Sequence, residues 1–202
     1  AKATANYTVN VEALPTADAA GGSQTICSTG TALVSGASAS NGTILWTHNG
    51  SGTLSNATGL TPTYTAAAGD EGNAVTLTMT VTSNNSCGIA TAMATYTVNV
   101  EALPTADAAG GSQTICSNAS ATVSGASASN GDILWTHNGS GTLSNATGLT
   151  PTYTAAAGDE GNAVTLTMTV TSNNSCGTAK ATANYTVNVE ALPTADAAGG
   201  SQ

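Results

Sequence analysis

Phenylalanine and arginine are absent from this 202-residue chain, which holds only two Lys, two Trp and four Cys. Two cations against eleven Asp and Glu leave a formal charge of −9. A surface of that sign cannot neutralise phosphates, so nucleic acid is excluded as a partner. Charged residues make up only 6% of the chain, and solubility rests on the hydroxyls and amides of Thr, Ser and Asn, an extracellular character. No apolar run is long enough to cross a bilayer, so no membrane insertion is expected in this window. Neither an initiator Met nor a signal peptide is present, and the chain reads as a window on a longer protein. The shortage of aromatics predicts a modest core filled largely by Ala, Val and Thr.

What is abundant is repetition. The stretch at residues 96–113, Tyr-Thr-Val-Asn-Val-Glu-Ala-Leu-Pro-Thr-Ala-Asp-Ala-Ala-Gly-Gly-Ser-Gln, recurs at 7–24 and 185–202, each time displaced by 89 residues. A period of that length exceeds the roughly 20 to 50 residues of a solenoid coil or propeller blade. It suits one small all-β domain per repeat, strung as beads. The expected division is a closing strand of a preceding repeat at 1–11, whole repeats at 12–100 and 101–189, and the opening of another at 190–202, with Leu103-Pro104 at the crossing between repeats.

Within a repeat, Gln24-Thr25-Ile26-Cys27 reads as a short edge strand paired with the strand at Ala32-Leu33-Val34. Asn41-Gly42 signals a turn into Thr43-Ile44-Leu45-Trp46-Thr47-His48, with Ile44 and Trp46 on one face. Residues 74–83 alternate without a break: Val75, Leu77, Met79 and Val81 against Thr76, Thr78, Thr80 and Thr82. That is the pattern of a half-buried strand. The closing strand should turn Ala92, Ala94, Tyr96, Val98 and Val100 inward. Trp46, Trp135, Val75, Leu77, Met79 and Tyr96 are the expected core.

The two whole repeats differ at nine aligned positions. Four fall on the closing strand with one parity: Ile89 against Thr178, Thr91 against Lys180, Met93 against Thr182, Thr95 against Asn184. Drift confined to alternate residues marks that face as exposed. Short strands, frequent turn signals and a central Trp predict an antiparallel, immunoglobulin-like β-sandwich for each repeat.

Three features together resemble the polycystic-kidney-disease-like (PKD-like) repeats of giant surface proteins of Bacteroidota. They are Pro15-Thr16-Ala17-Asp18-Ala19 leading to Gln24-Thr25-Ile26-Cys27-Ser28, the strand Ile44-Leu45-Trp46, and Thr61-Pro62-Thr63-Tyr64-Thr65 followed by Val75-Thr76-Leu77-Thr78. The resemblance covers the whole repeat and is nearest to the repeats of flavobacterial gliding-motility adhesins, which leave the cell by type IX secretion. It implies a secreted, cell-surface location and brings no catalytic residues with it.

Candidate sites are sparse. His48 and His137 have no second ligand at metal spacing, and no nucleophile stands beside an oriented base, so neither a zinc-type centre nor an enzyme is expected. Trp46 and Trp135 face either the core or a sugar, and the shared face with Ile44 favours the core. Asn-x-Ser/Thr triplets at Asn6, Asn41, Asn49, Asn56 and Asn84 follow from composition and matter only in a cell that glycosylates Asn.

Two cysteines per repeat without Cys-x-x-Cys spacing suit an oxidising compartment. The simplest bridges are Cys27–Cys87 and Cys116–Cys176, although an immunoglobulin-like topology puts the members of each pair at opposite ends. Stacked repeats would instead bring Cys27 toward Cys176, and free thiols are the third option. Acidic residues gather at the joints as Asp70, Glu71, Glu101 and Asp107, and again as Asp159, Glu160, Glu190 and Asp196. These sets form either a solvated rim or an oxygen cage for Ca²⁺, the one cofactor considered; a cage would need six to eight oxygen ligands.

Two functions are compatible with these readings. One is a structural stalk of an adhesin or filament, whose partners are the neighbouring repeats of the same chain. The other is a module that binds polysaccharide or other cell-surface components by avidity, or that spaces the catalytic part of an exoenzyme.

Overall fold

In the computed structural model, residues 1–193 and 195 are described. The chain forms two compact units that divide after Ala102. The first contains β1 (Thr16–Asp18), β2 (Ser23–Cys27), β3 (Thr31–Leu33), β4 (Ser38–Ser40), β5 (Gly42–His48), β6 (Thr53–Ser55), β7 (Thr63–Thr65), β8 (Ala74–Ser83) and β9 (Thr91–Glu101). A single 3₁₀ turn, Ala68–Asp70, precedes β8.

These strands make a four-stranded sheet ordered β2-β9-β8-β5, a three-stranded sheet ordered β3-β7-β6, and a small β1-β4 pair. All pairings in the unit are antiparallel except that of β2 with β9, which runs parallel from Ser23↔Thr97 to Cys27↔Glu101. The expected pairing of Gln24-Thr25-Ile26-Cys27 with Ala32-Leu33-Val34 is therefore corrected. The turn at residues 28–30 passes the chain from one sheet to the other, so that β3 pairs with β7. Inward alternation on both strands was visible in the sequence, but alternation is blind to which strand lies alongside.

The core lies between the two larger sheets. Ala32 and Val34 come from one side, and Trp46, Val75, Leu77, Met79, Val81, Val98 and Val100 from the other; Tyr64 closes it, with Tyr96 packed at its margin. Trp46 is 2% exposed, and its Nε1 donates to the Gly59 carbonyl at 3.0 Å. That bond satisfies the one polar group that burial would otherwise strand. The face assignment from repeat drift agrees: Met93 and Ile89 are exposed.

The second unit repeats the arrangement: β10 (Thr105–Asp107), β11 (Ser112–Cys116), β12 (Ser120–Thr122), β13 (Ser127–Ser129), β14 (Gly131–His137), β15 (Thr142–Ser144), β16 (Thr152–Thr154), β17 (Ala163–Ser172) and β18 (Lys180–Glu190). Its sheets are ordered β11-β18-β17-β14 and β12-β16-β15, with β10-β13 beside them. Trp135, Tyr153, Leu166, Met168 and Tyr185 lie in its core.

Residues 1–11 were expected to be a strand and are not one. Residues 2–12 have the same sequence as β18. In β18 that sequence is paired on both sides, with β17 and β11, and Tyr185 is 9% exposed. At the N-terminus no described strand lies alongside, and the matching Tyr7 is 92% exposed. Strand structure here depends on neighbours more than on local propensity. At the other end, residues 191–193 and 195 take no strand, and the rest of the expected opening segment falls outside the described residues.

Replacing Trp46 with Ala would leave a cavity between the sheets and should destabilise the first unit by about 3–5 kcal/mol. Denaturant unfolding followed by the remaining Trp135 in the second unit should be nearly unchanged.

Candidate functional site: the buried aspartate and the entry joint

Two polar constellations recur in the fold, one inside the sandwich and one where the chain enters it. The inner one is built on the 3₁₀ turn before β8. Asp70 is 2% exposed. Its Oδ1 accepts the Ser51 N–H at 2.6 Å, and its Oδ2 accepts the Tyr64 hydroxyl at 2.8 Å and the Ala67 N–H at 2.9 Å. The Tyr64 Oη accepts in turn from the Gly52 N–H at 2.9 Å. Gly50 has to be glycine at this approach, because a Cβ there would run into the Tyr64 hydroxyl. His48 packs its ring on Tyr64, with centroids 5.0 Å apart.

The second unit reproduces the arrangement with Asp159, Ser140, Tyr153 and Ala156. The shallow polar pocket of about 260 Å³ beside Asp159 is lined by Asn138, Ser140 and Asn162, but the carboxylate already spends its acceptors on these internal donors.

Burial alone would raise the Asp70 carboxyl. The N–H groups of Ala67 and Ser51 and the Tyr64 hydroxyl outweigh it and hold the group below its ordinary 3.8. Burial, followed by the bond to Asp70, pushes the Tyr64 phenol up to about 12 from 10.0. Asp159 and Tyr153 behave alike.

The structure places the carboxylates of the joint sets as follows. Asp70 and Asp159 turn inward, and their carboxylates accept from the Ser51 and Ala67, or Ser140 and Ala156, N–H groups and from a tyrosine hydroxyl. Asp107 Oδ1 accepts the Ala109 N–H at 2.9 Å in a local turn, and Asp196 lies outside the described residues. Glu71 and Glu160 remain beside their turns and contribute backbone carbonyls to Asn73 and Asn162. Among the described residues, no three His, Cys, Asp or Glu side chains converge where a metal could sit. The sugar platform falls, since both indoles are inside the sandwich.

The outer constellation holds the incoming chain. The Glu12 carboxylate accepts the Ser86 N–H at 2.8 Å. Asn85 Nδ2 donates to the Ala13 carbonyl and Asn41 Nδ2 to the Leu14 carbonyl, each at 3.0 Å. Pro15, next in the chain, is buried. Asn85 is held in place because its Oδ1 accepts from the Ser83 hydroxyl and the Cys87 N–H. The Cys87 Sγ lies 3.7 and 3.6 Å from the Glu12 and Ala13 carbonyls. In the second unit Asn130 makes the same bond to Leu103. The hairpin between β8 and β9 is therefore a clasp on the Glu-Ala-Leu-Pro segment. The Leu-Pro joint is legible in the sequence, whereas its holders are hidden among many Asn and Ser residues.

The cysteines differ from the simplest expectation. Cys87 and Cys116 carry free thiols, while Cys27 and Cys176 are each disulfide-bonded. Neither Cys27–Cys87 nor Cys116–Cys176 forms. Within a unit the two cysteines stand at opposite ends: Cys27 is paired with Glu101 at the end of β9, whereas Cys87 touches the entry segment.

No protein-family model matches this chain, and neither does any curated protein. Among solved structures it is similar to the titin I-band fragment I67–I69, at 13% identity and a TM-score of 0.47, over 90% of this chain and 67% of that one. The N-terminal four Ig domains of Dscam1 isoform 6.9 give 13% and 0.46, over 92% and 48%. A nucleoside hydrolase-related hypothetical protein from Saccharophagus degradans associated with carbohydrate metabolism gives 17% and 0.37, over 44% and 26%. The chain thus spans between about a quarter and two thirds of those proteins. At such scores they carry nothing about activity, and the immunoglobulin-like character of each unit stands on its own strand order.

Two outcomes check this picture. Asp70 is depressed, so its contribution is complete above the unfolded value of 3.8 and is lost as pH falls through the folded value. Tyr64 is raised, so its contribution is complete below 10.0 and is lost as pH climbs toward about 12. Asp70→Asn should destabilise the first unit by about 2–4 kcal/mol near neutral pH and flatten its acid limb, read by urea unfolding across pH. For the thiols, a maleimide added without reductant should label Cys87 and Cys116 in the unfolded chain, and Cys27 and Cys176 only after reduction.

Proposed function

We propose that these repeats are stalk units of a secreted, cell-surface adhesin or filament, of the kind that serves adhesion or gliding, and that they supply length and tensile integrity without catalysis. The observation that carries this reading is the parallel pairing of β2 with β9. The chain enters a unit shortly before β2 and leaves it at the end of β9. Tension applied through the chain therefore draws two neighbouring parallel strands along their length in opposite directions, and their ladder must shear as a set instead of opening bond by bond. The Ser28 N–H to Glu101 carbonyl bond, 2.8 Å, closes that ladder at its exit end.

Near-identity of the repeats supports the same reading, because a part that sets length can be duplicated without disturbing a unique site. Disulfide bonding at Cys27 and Cys176 suits an oxidising, extracellular setting and, with the PKD-like resemblance, a bacterial surface protein exported by type IX secretion. The units divide as repeats at 12–100 and 101–189. Glycan binding by avidity would fall to the exposed polar loops, since both tryptophans are buried.

Single-molecule pulling on the intact chain tests the proposal. Ser28→Pro and Ser117→Pro each delete one N–H that closes a parallel ladder, and each should lower the unfolding force of its own unit while leaving the released length unchanged. Unfolding at low force in the unaltered chain, or glycan binding that is lost on substitution of the exposed loops, would count against the stalk.

A further inference from the structure

Of the nine differences between the whole repeats, two change charge. Asp132 stands where the first repeat has Thr43, and Lys180 where it has Thr91. In the register of the second unit Asp132 is paired with Thr171, and Thr171 with Lys180. An anion and a cation therefore share one row across the sheet, on either side of a threonine. The row belongs to the outer face, since alternation along β14, β17 and β18 turns Ile133, Val170 and Ala183 toward the core. Asp132 and Lys180 are both exposed.

This face runs along the strands, away from the sandwich ends where the chain enters and leaves. Among the described residues, its only other charge is Glu190 at the far end of β18; the rest are Ser, Thr, Asn, Leu and Cys. On a chain of net charge −9, the Asp132 end of the face is a surface that two copies can bring together without like charges meeting. Within one copy the two charges are poorly placed for each other. Two strand spacings, about 10 Å, separate their Cα atoms, and the Asp132 carboxylate accepts from Asn173 Nδ2 at 3.3 Å.

We propose that the outer face of the sheet β11-β18-β17-β14 is a docking surface for the same face of a second copy of this chain. The copies are related by a two-fold axis that runs along β17, between the two faces. Such an axis exchanges left for right across the sheet and leaves position along the strands unchanged. The charged row of one copy therefore meets its own reverse: Asp132 lies over Lys180 of the second copy, Lys180 over its Asp132, and the two Thr171 residues face each other. In the next row Leu134 is paired with Thr169, and Thr169 with Thr182, so Leu134 covers the Thr182 methyl of the second copy. Facing sheets pack about 10 Å apart, a gap that an Asp and an extended Lys side chain span between them, and sheets of equal twist pack aligned.

Three overlapping strands about 30 Å long cover roughly 450 Å² per copy, less than the ~800 Å² of a standard interface. The contact is weak, and its two ion pairs set partner and register. The first unit has Thr43, Thr82 and Thr91 in the corresponding row, with no charge to do so. Lateral pairing of this kind goes beyond the stalk reading and stands whether or not the array bears tension.

The test is sedimentation of the intact chain, its free thiols alkylated, over a rising range of concentration. A reversible dimer is expected. Asp132→Lys and Lys180→Asp should each raise the dissociation constant about tenfold or more, because each turns both attractions between copies into repulsions. Mixed in equal amounts, the two variants should regain association as a heterodimer, since each supplies the charge the other lacks. Thr43→Lys, at the equivalent place in the first unit, should leave the constant unchanged. A second measurement needs no variant: carbodiimide coupling of mixed heavy-isotope and light chains should form an amide between Asp132 and Lys180 that joins heavy to light peptides, with the water lost taken up by the carbodiimide. A monomer at every concentration, an Asp132–Lys180 amide confined to single copies, or a mixture of the two variants that associates no better than either alone would each overturn the proposal. Thermal melts of the variants, expected to match the parent because both residues are exposed, separate loss of docking from loss of fold.

Discussion

The structure depends on the closing strand being paired on both sides. β9 has β8 antiparallel on one edge and β2 parallel on the other, and it sends Val98 and Val100 into the core. The same sequence without those neighbours, at residues 2–12, forms no strand and exposes its Tyr and Val side chains. Placing the exit strand between the incoming strand and the body of the sheet also makes the sandwich a closed mechanical circuit from entry to exit.

Around this circuit the polar groups are used economically. A chain with few charges places two of its carboxylates, Asp70 and Asp159, inside the protein. Each is satisfied by two backbone N–H groups and a tyrosine hydroxyl, so burial becomes tolerable and the loops before β8 and β17 are pinned. Glu12 works at the surface in the same manner, taking a backbone N–H from the hairpin. These carboxylates act as fasteners for the backbone.

The sequence made some of this legible and hid the rest for physical reasons. The alternation through Val75, Leu77, Met79 and Val81 and the one-sided drift at Met93 and Thr95 exposed the faces of β8 and β9, because burial constrains every second residue. Partners were not legible. Ser38–Ser40 forms β4 with no β-branched residue in it, and nothing local to Gln24 or Thr25 says that they run parallel to β9. The burial of Asp70, expected in a solvated rim or an oxygen cage, is not legible because Asp-Glu-Gly looks the same whether its carboxylate faces water or the interior; Tyr64, six residues earlier, is the available hint. The cysteines were legible in part: the expected topology already set the two positions of a repeat at opposite ends, against a bridge within it, but spacing alone cannot show that Cys27 and Cys176 are bonded while Cys87 and Cys116 are free.

The central claim is that the parallel β2–β9 ladder resists tension by shear, and the direction of pull tests it most directly. The first unit would be held once through residues 12 and 101, along the natural path, and once through Ser23 and Thr97, which face each other across the ladder. The account predicts a several-fold lower force in the second geometry, where the ladder bonds open one after another. Equal forces in both directions would contradict it.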